Sequence, residues 1–319
     1  MLALLAVCAL IAVAIGLLFG SVAVTPAHVW AALTGRGDPL AETLVLQLRL
    51  PRVVLAFATG GLLALAGALM QVLLRNPLAD PYILGVSGGA AAGALIVLLL
   101  GLGTFWIGGC AFAGALASTL IVFALAHGRG GWTPMRLLLT GVVVAAGWGA
   151  AISLLLALSN DASLHSMLFW LMGDLSYQSG GSWPLIVLGG GLVVALPFAR
   201  HLNVLARGEM QAQALGVPVN ALTIGIYILS SLLTAIAVTA AGTIGFVGLV
   251  IPHMLRLGGG SDHRWILPGS ALAGGALLVL ADTLARTVLA PRQLPVGVVT
   301  AAIGVPLFLY LLNRSRGPL

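Results

Sequence analysis

The chain has 319 residues, of which 60% are hydrophobic and only 7% charged. A soluble globular domain is about half apolar and a quarter charged, so this composition excludes one and points to a chain embedded in lipid. The fourteen basic residues outnumber eight acids and all are arginine; with no lysine to reach nucleotide phosphates there is no Walker A loop, and any ATP-driven work needs another polypeptide.

Ten apolar runs are each about as long as a bilayer core is thick, which takes roughly 20 residues of helix. They fall near 2–21, 51–74, 82–101, 106–126, 136–158, 183–199, 221–241, 244–257, 267–287 and 295–312. They predict an all-α polytopic membrane protein of about ten transmembrane helices, forming one domain over 1–319. The 43 glycines suit such spans, because small residues let membrane helices approach closely. The first run, MLALLAVCALIAVAIGLLFG, has no basic n-region and reads as an uncleaved span rather than a signal peptide.

An even number of spans puts both termini on one side. Nine arginines, Arg75, Arg207 and Arg256 among them, fall on that side; Arg36, Arg49, Arg52, Arg286 and Arg292 fall on the other. The richer side is expected to be cytoplasmic.

In chain order, Cys8 and Cys110 lie far apart inside apolar runs and read as packing residues, neither a disulfide nor a metal site. The segment 159–182 is the largest on the outer side. Its middle, LHSMLFWLM, has the character of a helix lying at the interface, with Met167, Phe169 and Trp170 as anchors.

Residues 206–219, ARGEMQAQALGVPV, stand out as a short, polar, helix-prone stretch within the segment 203–219. As a helix, it places Glu209, Ala212, Gln213 and Gly216 on one face, and Met210, Ala214 and Val217 on another. Pattern alone fits equally a compact docking surface and a plain connection between two spans. The stretch GTIGFVGLVIP (242–252) spaces glycines before a proline and predicts a short, broken helix beside a close backbone contact.

Titratable groups are scarce. His253, His263 and Asp262 could suggest an intramembrane metal hydrolase, but lack HExxH or comparable spacing; a satisfied helix end is the simpler reading. Asp282, within an apolar run, is a candidate proton relay for a secondary transporter. It also precedes Arg286 by four residues, and helical pairing with that arginine is the simpler reading.

Beyond these patterns, the chain resembles the FecCD-type permeases of bacterial ABC importers, which carry iron–siderophore complexes, heme or cobalamin. The resemblance runs nearly end to end, through RLPR (49–52), GGLLALAGALMQ (60–71), RNPLADPYILGVSGGA (75–90), GEMQAQALGV (208–217), IGFVGLVIPHMLRL (244–257), DHRWILPGSALAGG (262–275), ADTLAR (281–286) and LPVGVVTAAIGVP (294–306). These blocks are shared by members with different cargo.

The resemblance implies a homodimer in the bacterial inner membrane, two cytoplasmic ATPase subunits that use ATP and Mg, and a periplasmic binding protein. It implies no nucleic acid partner, no catalytic residue and no cofactor or metal held by this chain itself. Glu209, Ala212, Leu215 and Gly216 match the segment that couples to the ATPase. Arg49, Arg52 and Arg286 match outer-face arginines that dock the binding protein, each expected to be solvated. Thr133, Pro134 and Met135 correspond to the cytoplasmic gate region, where the family's small hydroxyls are partly replaced by Pro134 and Met135.

Overall fold

The structure, a computed structural model, describes residues 1–22, 24–127, 133–175 and 182–314. Among these the chain is helical throughout, with no strand. Helix α1 (Leu2–Leu18) is followed by two short helices, α2 (Pro26–Leu33) and α3 (Pro39–Glu42). A π-helical stretch over Thr43–Arg49 then leads without a break into α4 (Leu50–Leu73). A 3-10 turn at Pro81–Leu84 precedes α5 (Val86–Leu99), and α6 (Thr104–Ala126), α7 (Pro134–Ala157) and α8 (Asp161–Leu171) follow. Next come α9 (Trp183–Ala195), α10 (Ala199–Leu205) and α11 (Glu209–Ala214). The chain then runs through α12 (Val219–Ala241), α13 (Val247–Gly259), α14 (His263–Thr287) and α15 (Val296–Arg314).

Each predicted apolar run coincides with one of these helices. Six helical runs are long and apolar enough to cross a bilayer: Pro39–Leu73, Phe105–Ala126, Pro134–Ala157, Trp183–Leu205, Val219–Ala241 and His263–Thr287. The apolar helices Leu2–Leu18, Val86–Leu99, Val247–Gly259 and Val296–Leu311 are shorter.

The boundaries shift for local reasons. The first run reaches 21, but α1 stops at Leu18 because the Arg49 guanidinium takes the carbonyls of Leu17, Leu18 and Val22. The third starts late: Asp80 caps the 3-10 turn, and Gly85, at φ 72°, breaks it from α5. Helix α9 continues through a 3-10 turn at Leu196–Phe198 into α10, so the run ends at Leu205 rather than 199. Polar caps set other starts: Thr133 for α7, Asn160 for α8 and Asp262 for α14.

Helix α4 is the centre. Nearly every residue from Val53 to Leu73 is buried, with α14, α12, α13 and α9 around it. A helix apolar on all sides belongs inside a bundle. In lipid, close van der Waals packing rather than the hydrophobic effect holds helices together. A Cβ on Gly60 would collide with the carbonyl of Gly274, and one on Gly67 with the carbonyl of Gly248, so α4 seats directly on the backbones of α14 and α13. The predicted break at 242–252 is present: α12 ends at Gly242, and α13 begins only after Phe246 at φ 70°. The hydroxyl of Tyr82 spans the gap, donating to the Ile244 carbonyl (3.1 Å) and accepting from its N–H (3.0 Å).

Helix α8 forms where the interfacial segment was expected, but Met167 and Trp170 are buried core residues rather than interface anchors. Cys110 packs against the core, as expected, whereas Cys8 is exposed and lies outside it. Helix α7 turns most of its apolar side chains outward, among them Leu139, Val143 and Leu154.

Candidate functional site

The two ends of α4 gather the polar side chains. At about 1.5 Å per residue this helix alone is some 36 Å long, so the two clusters lie a membrane thickness apart.

At its start sit Arg49, Arg52 and Arg286, brought together by α4 and α14. Arg52 reaches Asp282 in a forked contact, Nε to Oδ1 at 3.0 Å and Nη2 to Oδ1 at 2.9 Å, and its Nη1 donates to Gln293 at 3.1 Å. Arg286 meets the other oxygen of Asp282 at 2.9 Å, the expected pairing four residues along one helix. The expectation that all three arginines stay solvated is overturned. Arg49 is 5% and Arg286 6% exposed, because their guanidiniums serve as hydrogen-bond donors inside the bundle; the Arg52 side chain is 16% exposed. Asp282 is no free proton relay either. Both its oxygens are held by guanidiniums, and carrying a proton would mean leaving two ion pairs.

At the far end the segment expected to couple to the ATPase folds as α10, a turn at Gly208 and α11, ended by Gly216 at φ 75°. Glu209 opens α11 and is joined to Arg75, just past α4, at 3.0 Å. Ala212 is fully buried, so it lies behind the exposed face instead of on it, together with Val217. The outward side of α11 carries Met210 (84% exposed) and Leu215 (71% exposed). Ala212, expected on the docking face, thus turns inward, which periodicity does not show in a helix of only six residues.

Gln71, missed in the sequence, completes this end. Gln71 donates to the carbonyls of Ala79 (3.3 Å) and Leu249 (3.1 Å), and accepts from the Arg256 guanidinium. It therefore ties α4, the following loop and α13 together. A lone amide within the apolar run GGLLALAGALMQ was the available signal. The Thr133 hydroxyl accepts from the Arg136 N–H at 3.3 Å, and Pro134 occupies the first turn of α7, where a missing N–H costs nothing. Met135 is exposed beside them. Further along, α7 packs on the Pro81–Leu84 turn, Gly141 lying against the Ile83 carbonyl.

The helix end expected to be satisfied is only partly so: Asp262 caps it, but the buried Nε2 atoms of His263 and His253 have no partner among the described residues. Asp262 Oδ1 accepts from the Arg264 N–H (3.0 Å) and Asn203 (2.8 Å), and these hydrogen bonds hold its carboxyl below the usual range. Asn203 in turn accepts from the His263 N–H at 2.8 Å. Among the described residues, no three His, Cys, Asp or Glu side chains cluster as metal ligands would.

Comparison with known proteins agrees with this architecture. A model of the FecCD transport family matches residues 7–314. The chain belongs to the FecCD transport family. It is 44% identical to the ABC transporter permease protein YvrB of Bacillus subtilis, over 89% of this chain and 82% of that one. It is 44% identical to the hemin transport system permease protein HmuU of Yersinia pestis, over 85% and 83%. It is 41% identical to the vitamin B12 import system permease protein BtuC of Shigella boydii, over 90% and 89%. A solved structure assigned to an inward-facing metal-chelate type ABC transporter superposes with a TM-score of 0.87 at 31% identity, covering 98% of both chains. This FecCD member is thus a multi-pass membrane protein and a transporter component.

Proposed function

We propose that the chain is the permease subunit of a binding-protein-dependent ABC importer for a large metal chelate, an iron–siderophore complex, heme or cobalamin. What carries the reading is the Arg75–Glu209 ion pair: it fastens a short helical segment outside the bundle to the helix at the bundle's centre. A push on α11 would travel to α4 through this pair and through the Gln71–Arg256 contact. Family membership and relatives named as permeases, matched over more than four-fifths of their length, support it further.

In this reading ten helices span the bacterial inner membrane with both termini inside, and two copies enclose the path. ATPase subunits, which supply the ATP and Mg chemistry, engage the exposed α11 face at Glu209, Met210, Leu215 and Gly216. A periplasmic binding protein delivers cargo at the Arg52 end, where Arg49 and Arg286 hold the framework. Thr133, Pro134 and Met135 flank the inner mouth. Motion of α11 on ATP binding then alternates access to the two sides.

The test is purification of the tagged permease from its native membrane. An ABC ATPase should accompany it, and its loss on adding ATP analogues or salt can be followed. Absence of any ATPase under conditions that preserve the bundle would sink the reading. Exposing the partner binding protein to cell extract and recording its absorption spectrum identifies the cargo, since a corrinoid, a heme and a ferric siderophore absorb differently.

A further inference from the structure

A second feature lies at the Arg75 end, around side chains that this route also uses. A polar cavity of about 600 Å³ is lined there by Gln71, Arg75, Arg207, Arg256, Asp262 and His263. Three of these are guanidiniums. Arg75 is paired with Glu209, but among the described residues neither Arg207 nor Arg256 has a carboxylate within 4 Å. Asp262, the acid in the lining, uses its Oδ1 to accept from the Arg264 N–H and Asn203. Arg256 is half-buried and its partner is a neutral amide, that of Gln71, so its charge is left uncompensated. His263 is 2% exposed; its Nδ1 lies 2.6 Å from Asn203, while its Nε2 has no partner in the protein.

Beside the cavity, across α10, lies an apolar groove of about 270 Å³ between α9–α10 and α12. Leu202 lines the groove and Asn203 the cavity. On α4, Leu69 lines the groove while Gln71 and Val72 line the cavity. These positions differ by only about 1.5–5 Å along a helix axis, so groove and cavity meet at one depth. Gly225 lines the groove, and a Cβ there would meet nothing within 4 Å.

We propose that this is a site for an anionic phospholipid: Arg207 and Arg256 hold the headgroup phosphate in the cavity, and one acyl chain occupies the groove. Guanidiniums bind phosphate oxygens through charge-assisted, often forked hydrogen bonds. Basic pockets between helices at the inner leaflet are suited to anionic headgroups. Free phosphate would satisfy the arginines but has no use for the groove, which is why the lipid is the occupant. The proposal rests on the reading that this end faces the cytoplasm.

Native mass spectrometry of the purified full-length protein in detergent tests it, with phosphatidylglycerol, phosphatidylcholine of the same acyl chains, and inorganic phosphate as probes. Phosphatidylglycerol should be retained and phosphatidylcholine should not. Arg207→Gln, at an exposed position, should weaken retention roughly fivefold, and Arg207→Gln with Arg256→Gln at least tenfold. Gly225→Leu should weaken it too, by filling the groove. Equal retention of both lipids overturns the proposal, as does undiminished binding by variants that elute as the wild type does. Binding of inorganic phosphate without lipid preference also overturns it. No ATPase, binding protein or cargo is needed, so failure here is distinct from failure of the permease reading.

Discussion

Arg75 and Glu209 lie 134 residues apart and meet at 3.0 Å, each about one-third exposed. An ion pair so open to water contributes on the order of 0.2–1 kcal/mol to stability. Its position matters more, because it is a direct link between the end of α4 and α11.

Glu209→Arg should therefore leave thermal unfolding within about 1 kcal/mol of the wild type while uptake into proteoliposomes falls strongly. Restoring the pair in reverse, with Arg75→Glu added, should recover part of that loss if the link itself transmits the motion. Gly216→Trp should abolish uptake without recovery, since φ 75° disfavours a side chain and the bulk faces outward. Wild-type uptake by Glu209→Arg would show that the pair is ornamental.

The bundle was legible in the sequence because its signal is local: an apolar run needs no partner to be recognised, and all ten runs coincide with helices. The i,i+4 pairing of Asp282 with Arg286 was legible for the same reason. Burial of Arg49 was not, because its acceptors are carbonyls 27 to 32 residues away, which leave no mark in side-chain pattern. Ala212 was misplaced because a six-residue helix between two positive-φ glycines has too few turns for periodicity to fix its orientation. Arg75 could be counted as a charge on one side, but its meeting with Glu209 is tertiary.

Asp80, in the loop between α4 and α5, supplies a pH prediction. Burial pushes its carboxyl up to about 6, against the opposing hydrogen bond from the Tyr82 N–H. The folded state thus holds a proton that the unfolded chain releases from about pH 4 upward, so stability is greatest below that point. It should decline as pH rises from about 4 to 6 and then level off. Asp80→Asn keeps a capping oxygen but carries no charge. At pH 7.5 it should be more stable than the wild type by on the order of 1–2 kcal/mol, a figure reduced for the partial exposure of the site. The gain should vanish near pH 4. Fluorescence-detected thermal unfolding in detergent across this range reads both, and a constant difference at every pH would reject the assignment.

The topology of ten spans with both termini inside can be read with a single thiol. Ser315 lies outside the described residues, just beyond α15. In a background with Cys8→Ala and Cys110→Ala, Ser315→Cys should be protected from an impermeant maleimide added to intact spheroplasts and labelled after lysis. Labelling before lysis would place the C-terminus outside.

The arginine cluster at the other end should separate docking from folding. Arg49 donates to the carbonyls of Leu17 and Leu18 at the end of α1 and to that of Val22 just beyond it. Arg49→Ala should therefore destabilise the fold by on the order of 2–3 kcal/mol, with early loss of α1 contacts. Asp282→Asn removes the acid between two guanidiniums and should cost about 3–5 kcal/mol, whatever the proton gradient. Arg52 differs, being more exposed at the rim and reaching Gln293 with Nη1. Arg52→Gln keeps a hydrogen-bonding side chain at the rim, should cost less stability than either, and should slow association with the binding protein, with a shallower salt dependence. Surface plasmon resonance at two ionic strengths, on variants matched for unfolding temperature, distinguishes the roles. Unchanged association by Arg52→Gln would leave this cluster with a structural role alone, because Arg49 and Arg286 are too deeply buried to meet a partner without rearranging α1 and α14.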